Sequence, residues 1–180
     1  NPISMLDLLK LSLRLHPEVL VPAEMRGSEA LTVQEAGRTG HTIVSTLHAN
    51  SARSAYDRIL TMCLSAGTSL SEERLLKNIV EAFPIMLFKR QLPDKSRKYM
   101  ELIEATGVRN GEVTGNTLYK YVVDHYERDQ AGRITKVVGF HKRMGNISPA
   151  LAERLLIGGV ELKEIRRFAG EEYTPEGGTI

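Results

Sequence analysis

What the sequence has little of excludes several classes of protein. Cys63 is the single cysteine among 180 residues, so no disulfide framework can form within one chain, and its helical surroundings predict a reduced residue in the core. The formal net charge is only +2, too small to predict nucleic-acid or membrane-surface binding by bulk electrostatics. No apolar run approaches the roughly 18 residues of a membrane-spanning helix. The chain has the composition of an ordinary globular domain, and the cytoplasm is its expected location.

Three polar signatures lie close together near the start of the chain. They are the segments Glu24–Gly27, Thr39–His41 and Ser45–Asn50. The first follows Val19–Val21, an apolar run short enough to be a buried parallel strand, and the third completes a second short strand predicted over Thr42–His48. A helical stretch separates the strands, so we expect a βαβ unit with both carboxyl ends on one rim. Because open α/β sheets bind ligands at that rim, Glu24 and His48 are predicted to face one cleft.

These segments resemble the ATPases of type II and type IV secretion, conjugation, and type IV or tight-adherence pili. In that family a Gly-Glu-(Ile/Met/Val)-Arg-(Gly/Asp) turn carries the Walker B glutamate, and a His box reads roughly Thr-Gly-His and then Thr-Leu-His-(Ala/Thr)-(Asn/Thr). The matching segments, in the same order and spacing, are Glu24–Gly27, Thr39–His41 and Thr46–Asn50. Pro22 and Ala23 depart from the pattern, which has an apolar residue and Gly there. The resemblance covers about two thirds of the chain and points to a tight-adherence-like branch.

A phosphate-binding loop is not found in these 180 residues. The family has a Gly-x-x-x-x-Gly-Lys-(Ser/Thr) loop, whose backbone amides hold phosphate, and an acidic Asp box, both N-terminal to the Walker B strand. The chain begins at Asn1, just before that strand, so the resemblance implies the C-terminal half of a longer motor ATPase. We expect this half alone to be inactive toward ATP. The alternative is a non-hydrolysing scaffold or interaction module derived from the ATPase fold.

The resemblance implies roles for four polar residues. Glu24 is the expected catalytic base, which orients and deprotonates the water that attacks the γ-phosphate; otherwise it is a strand-end or helix-capping carboxylate. His48 is expected to sense the terminal phosphate, and the other interpretation is a hydrogen-bonded histidine at a strand end. His41, on the opposite rim, is a weaker candidate for nucleotide sensing than for a structural or subunit-contact role. Arg26 is either a solvated charge or an electrostatic brace on Glu24 that could reach phosphate.

The resemblance also implies cofactors and partners for a full-length protein. It is expected to bind ATP with Mg²⁺, to form a homo-oligomeric ring, namely a hexamer, and to lie peripherally at the inner face of the membrane. Secretion or pilus platform proteins are its expected partners, and no direct nucleic-acid binding is predicted. Mg²⁺ is expected to bind together with the nucleotide, without direct ligands from this chain. A metal hydrolase built on Glu24, His41 and His48 fails because about 20 Å of strand separates the histidines, whereas metal–ligand distances are about 2 Å.

The apolar pattern predicts an α/β fold in four segments. Residues 1–84 should form the C-terminal part of a RecA-like P-loop NTPase core. Residues 85–145 should form an antiparallel β-meander extension, residues 146–170 a small helical end that begins at Ser148, and residues 171–180 a flexible tail. The meander strands are predicted at 85–92, 97–106, 117–126 and 133–142.

Local sequence patterns predict where the helices of the core begin and which apolar face of the core stays exposed to solvent. The predicted N-terminal positions of the helices are Ser4, Ser28, Ser51 and Ser71. A core without its P-loop strand should leave an apolar face open, and such faces promote association. We expect that face to be lined by Leu8, Leu9, Val19 and Val21. The chain should either self-associate through it or be a piece of a longer protein that was already folded.

Overall fold

The computed structural model describes residues 2–175 of the chain. In this range the helices are α1 Met5–Leu13, α2 Glu29–Arg38, α3 Ser54–Leu64, α4 Glu72–Ala82, α5 Pro149–Ile157 and α6 Leu162–Ala169. The strands are β1 Val19–Leu20, β2 Thr42–Ile43, β3 Ile85–Gln91, β4 Arg97–Arg109, β5 Glu112–Arg128 and β6 Ile134–Arg143. The predicted α/β class is confirmed. The flexible tail predicted at 171–180 lies, from residue 176 onward, outside the described residues.

The chain divides into two compact units. Unit 1 comprises Asn1–Phe88 and Ala105–Gly115, and unit 2 comprises Lys89–Glu104 and Asn116–Ile180. The segment limits predicted at residues 84, 145 and 170 stay predictions.

The predicted βαβ unit lies in unit 1. β1 and β2 are parallel and pair in the register Val19–Thr42 and Leu20–Ile43. One further parallel bridge joins Glu24 to Thr46. The parallel direction is therefore as predicted, but each regular strand has only two residues and is shorter than the apolar pattern predicts.

Two residues before Glu24 account for the short strands. Pro22 has no N–H to contribute to a ladder. Ala23 has a φ of 56°, in the left-handed region that a residue with a Cβ rarely adopts. The pairing resumes past them, because Thr46 N–H donates to Ala23 O and Met25 N–H donates to Thr46 O, both at 2.8 Å. The departure from the family pattern thus coincides with the break in β1.

The core of unit 1 lies among α2, α3 and α4, which pack against one another. Tyr56 is fully buried, and its hydroxyl donates to Phe83 O at 2.8 Å, which satisfies the polar atom inside the core. Cys63 is a buried free cysteine, as predicted. Burial raises the pKa of its thiol to about 12, so this cysteine is a packing residue.

Three of the four predicted helix starts agree with the structure. Ser4 forms a complete capping box with Asp7, Ser71 accepts the Arg74 N–H, and α2 begins directly after Ser28. The prediction for Ser51 is wrong for the regular helix, because α3 begins at Ser54. Ser51 nevertheless organises the preceding turn, since its Oγ accepts the Ser54 N–H at 3.0 Å.

The predicted open face is confirmed except at one position. The side chains of Leu8, Val19 and Val21 are between 50% and 63% exposed. Leu9 is buried, so its place in this face was predicted wrongly. The reason is that α1 packs against α2 and buries Leu9 alone of its residues. None of the helices within residues 2–175 has the length and apolarity needed to cross a bilayer.

The predicted meander is confirmed by the strand order β3-β4-β5-β6. β5 and β6 are antiparallel, with Tyr121 opposite His141. β4 and β5 are longer than predicted because Asn110 and Gly111, with φ values of 53° and 77°, form a two-residue turn that lets pairing start on both sides at once.

The small helical end of unit 2 also forms as predicted. Ser148 caps α5 by accepting the Leu151 N–H, with proline at the first helical position. Glu104 is buried, and its carboxylate accepts the Ser148 N–H at 2.7 Å and the Ser148 hydroxyl. Leu118, Ile147, Ala152 and Ile165 form the apolar cluster beneath the two helices.

Candidate functional site

The carboxylate of Glu24 contacts two basic side chains. Its Oε2 accepts a hydrogen bond from Nη2 of Arg26 at 2.6 Å, and its Oε1 lies 3.2 Å from Nε2 of His48. The parallel bridge between Glu24 and Thr46 brings His48, two residues farther along, to the same rim. The parallel pairing predicted from the sequence therefore explains why the two side chains meet.

The charge distribution keeps Glu24 ionised. The hydrogen bond from Arg26 is the largest influence and lowers the pKa of the Glu24 carboxyl, and the charges of Arg26, His48 and Arg58 lower it further, while partial desolvation opposes them. The same hydrogen bond raises the pKa of the Arg26 guanidinium. Glu24 is therefore a carboxylate at neutral pH, which is the form that can accept a proton from water.

Both basic partners of Glu24 reach into solvent. The side chains of Arg26 and His48 are 76% and 87% exposed, whereas that of Glu24 is 27% exposed. An incoming anion can therefore approach the two bases directly while the carboxylate stays half-buried between them. The arrangement offers N–H donors to an anionic oxygen and one acceptor to water.

Glu29 is a further residue of this site that the sequence analysis missed. Its Oε1 accepts the backbone N–H groups of Arg26 and Gly27 at 2.7 and 3.0 Å. Desolvation raises the pKa of the Glu29 carboxyl, but the backbone hydrogen bonds outweigh it and lower that pKa overall. An acidic residue in the first turn of a helix, directly after an Arg-Gly turn, was the signal that could have identified it.

His41 is not part of the contact between Glu24 and His48. It precedes β2, its N–H donates to Ala36 O at 3.2 Å, and its Nδ1 is buried without a hydrogen-bond partner. The structure thus places it at the other end of β2, on the opposite rim, as the strand direction predicts. Within residues 2–175, no three His, Cys, Asp or Glu side chains are grouped so that they could hold a metal ion.

A groove of about 410 Å³ opens beside Arg26. The remaining lining residues come from the turn at Gly27 and from one side of α3. They are Gly27, Asp57, Arg58, Thr61, Met62 and Ser65. The groove adds the Arg58 guanidinium to the basic side of the site.

Comparison with known proteins identifies the family. A family model described as "Type II/IV secretion system protein" matches residues 2–137. The conjugal transfer protein TrbB of Rhizobium radiobacter is 29% identical over 127 residues, which are 70% of this chain and 35% of TrbB. The type IV pilus assembly ATPase PilB of Thermus thermophilus is 29% identical over 119 residues, which are 62% of this chain and 12% of PilB.

Solved structures and shorter alignments agree with this match. The VirB11 ATPase from the Brucella suis type IV secretion system shares the fold over 58% of this chain and 34% of its own, with a TM-score of 0.53 and 24% identity. The competence protein ComGA of Streptococcus pneumoniae is 47% identical over 60 residues, which are 33% of this chain and 19% of ComGA. The chain spans about a third or less of the length of these relatives, and the tight-adherence-like branch stays a prediction. The chain belongs to the type II/IV secretion system protein family.

Proposed function

We propose that this chain supplies the Walker B glutamate and the His box of a motor ATPase that drives secretion, conjugation or pilus assembly. The observation that supports this best is the carboxylate of Glu24, held at the rim of two parallel strands with Arg26 at 2.6 Å and His48 at 3.2 Å. A RecA-like P-loop NTPase core would be completed by a phosphate-binding loop elsewhere in the protein, because the 180 residues contain none and match only part of each relative.

The polar groups of the site suit a nucleotide phosphate better than a bare metal ion. Arg26 and His48 present N–H donors to solvent, and within residues 2–175 Glu24 is the carboxylate that contacts both of their side chains. Bound ATP with Mg²⁺ would supply the phosphoryl group and neutralise its developing charge. Glu24 would orient the attacking water and accept its proton, Arg26 and His48 would contact the terminal phosphate, and His41 would act in strand placement or subunit contact.

The assembled protein is proposed to be a homo-hexameric ring at the inner, cytoplasmic face of the membrane, where it contacts secretion or pilus platform proteins. The family membership supports this. The apolar side chains Leu8, Val19, Val21 and Val44 are exposed, and an assembly that covers them would remove their apolar area from water. More polypeptide, from the same protein or a neighbouring subunit, would cover them. Direct nucleic-acid binding is not part of the proposal.

The substitution Glu24→Gln in the full-length protein tests this function. Glutamine keeps the size of the side chain and an acceptor for Arg26 but cannot take a proton from water. We expect ATP to bind with nearly unchanged affinity while turnover falls by roughly 10²-fold or more. Glu18→Gln, at an exposed acidic residue just before β1, is the matched control and should retain full turnover.

The measurement is steady-state phosphate release by the assembled ring, with nucleotide binding measured separately. Loss of turnover in Glu24→Gln alone supports the Walker B assignment. Unchanged turnover in that variant would refute it and leave the scaffold interpretation as the better one.

A further inference from the structure

We propose that Glu29 is a positioning residue of this site, which acts on Glu24 through the backbone turn that carries Arg26. Its relevance to catalysis rests on the proposed ATPase function, whereas its structural action does not. Glu29 is the first residue of α2, and its side chain reaches back toward the residues that precede the helix, as side chains at a helix N-terminus do.

The evidence is the pair of hydrogen bonds that converge on one oxygen. Arg26 N–H and Gly27 N–H both donate to Glu29 Oε1, at 2.7 and 3.0 Å. Ser28, which occupies the N-cap position, has helical dihedral angles and makes no side-chain capping bond. Glu29 thus does for this turn what a capping serine usually does for a helix.

Gly27 supports the same role. A Cβ built on Gly27 would lie 3.3 Å from Oε2 of Glu29, closer than ordinary van der Waals contact. A side chain at position 27 would therefore crowd the Glu29 carboxylate, which would have to shift by a few tenths of an ångström. The absence of a Cβ at Gly27 leaves this space to the carboxylate.

The turn transmits this restraint to Glu24. Met25 is 2% exposed and fixes one side of the segment in the core, and Glu29 fixes the other side at Arg26 and Gly27. The Arg26 side chain leaves this fixed backbone and reaches Glu24 Oε2 at 2.6 Å. Releasing the turn should therefore weaken the contact that holds the Glu24 carboxylate.

Glu29 also prevents the backbone of the turn from binding phosphate. Backbone N–H groups at the start of a helix are a common binding site for phosphate. Here the carboxylate takes the two N–H groups and adds a negative charge beside them. The turn is therefore a support for Arg26 and Glu24, and an anion meets the side chains of Arg26 and His48 first.

NMR spectroscopy of the 180-residue chain tests the proposal. In Glu29→Ala we expect the amide protons of Arg26 and Gly27 to exchange at least about tenfold faster, and the titration midpoint of the Glu24 carboxyl carbon to rise because Arg26 is held less firmly. Glu29→Gln should restore part of both effects, since its amide oxygen can accept the same bonds. Glu72→Ala is the matched control, because Glu72 is the first residue of α4 and its loss removes the same charge from a helix N-terminus.

The outcomes separate positioning from general stability. Changes in Glu29→Ala that are absent from Glu72→Ala and smaller in Glu29→Gln support the proposal. Unchanged Arg26 and Gly27 exchange with an unchanged Glu24 titration would overturn it. If Glu29→Ala does not fold, Glu29→Gln is compared with the wild-type chain: faster Arg26 and Gly27 exchange with a raised Glu24 titration midpoint supports the proposal, and no change in either would overturn it.

The activity of the full-length protein distinguishes this proposal from the proposed function. If both are correct, Glu29→Ala should lower kcat with little change in KM, Glu29→Gln should lower it less, and Glu24→Gln should abolish most turnover. A full effect of Glu24→Gln with none of Glu29→Ala refutes the positioning role alone. No effect of Glu24→Gln refutes the ATPase function, and the amide exchange rates then still decide whether Glu29 holds the turn.

Discussion

The 180-residue chain alone should bind ATP only weakly, with a dissociation constant above about 1 mM. The donors at its site are the side chains of Arg26, His48 and Arg58, which are exposed, and water screens the interactions of such groups strongly. The N–H groups of the adjacent turn are bonded to Glu29. Micromolar binding requires about −8.2 kcal/mol, left over after an association cost of roughly 4–15 kcal/mol. Three screened side chains cannot supply that sum.

Titration calorimetry with ATP and Mg²⁺ measures this affinity, and phosphate release measures turnover. We expect no saturable binding below 1 mM and no turnover, with small chemical-shift changes at millimolar ATP that disappear in Arg26→Ala. Arg14→Ala, at an exposed arginine after α1, should keep those changes. Micromolar ATP binding by this chain alone would show that a complete phosphate site exists within it. The prediction that the chain holds only part of the ATP site would then be wrong.

Other expectations concern stability and association. Glu104→Ala should lower the free energy of unfolding by about 2–3 kcal/mol, because the acceptor of two hydrogen bonds from Ser148 is lost. The control Glu101→Ala, which loses an ion pair with Lys120 at 4.0 Å, should cost less than about 1 kcal/mol. Equal losses of stability in urea denaturation would contradict this. Because the folded-state pKa of Glu24 is lowered from 4.5, its stabilising effect relative to Gln should be present above pH 4.5 and fade as the pH falls. A gap between the thermal unfolding curves that does not narrow as the pH is lowered below 4.5 would contradict this. Light scattering should show self-association that weakens when Val19 and Val21 become Thr, and a monodisperse wild-type monomer would contradict it.

The meeting of Glu24 and His48 could be predicted because it depends on chain topology. Two short apolar runs joined by a helix imply parallel strands, and parallel strands bring their carboxyl ends together. Glu29 could not be found in this way. Its role depends on a side chain that accepts hydrogen bonds from backbone N–H groups two and three residues earlier. The spacing of apolar residues along the sequence does not predict such a bond. The only local indication is that an acidic residue in the first turn of a helix follows an Arg-Gly pair.

The errors in the fold have equally local causes. α1 carries leucines on most of its circumference, so the pattern alone cannot show that Leu9 faces α2 while Leu8 faces solvent. β1 ends early because Pro22 and Ala23 interrupt it, although the apolar run continues through Val21. Apolar pattern indicates which segments are structured, and single residues with special backbone geometry decide where each segment ends.

The proposed chemistry depends on a fixed backbone beneath exposed side chains. Arg26 and His48 each contact one oxygen of Glu24, and because a carboxylate has about four acceptor sites, Glu24 can still accept a hydrogen bond from water. Arg26 is 76% exposed, so an anionic phosphate would find N–H groups of its guanidinium open to a second partner. The backbone under it is held by Glu29 and by the buried Met25. In the proposed ATPase, the phosphate would therefore share the guanidinium of Arg26 with Glu24, and the shared contact would keep the carboxylate in place and ionised to act as the base.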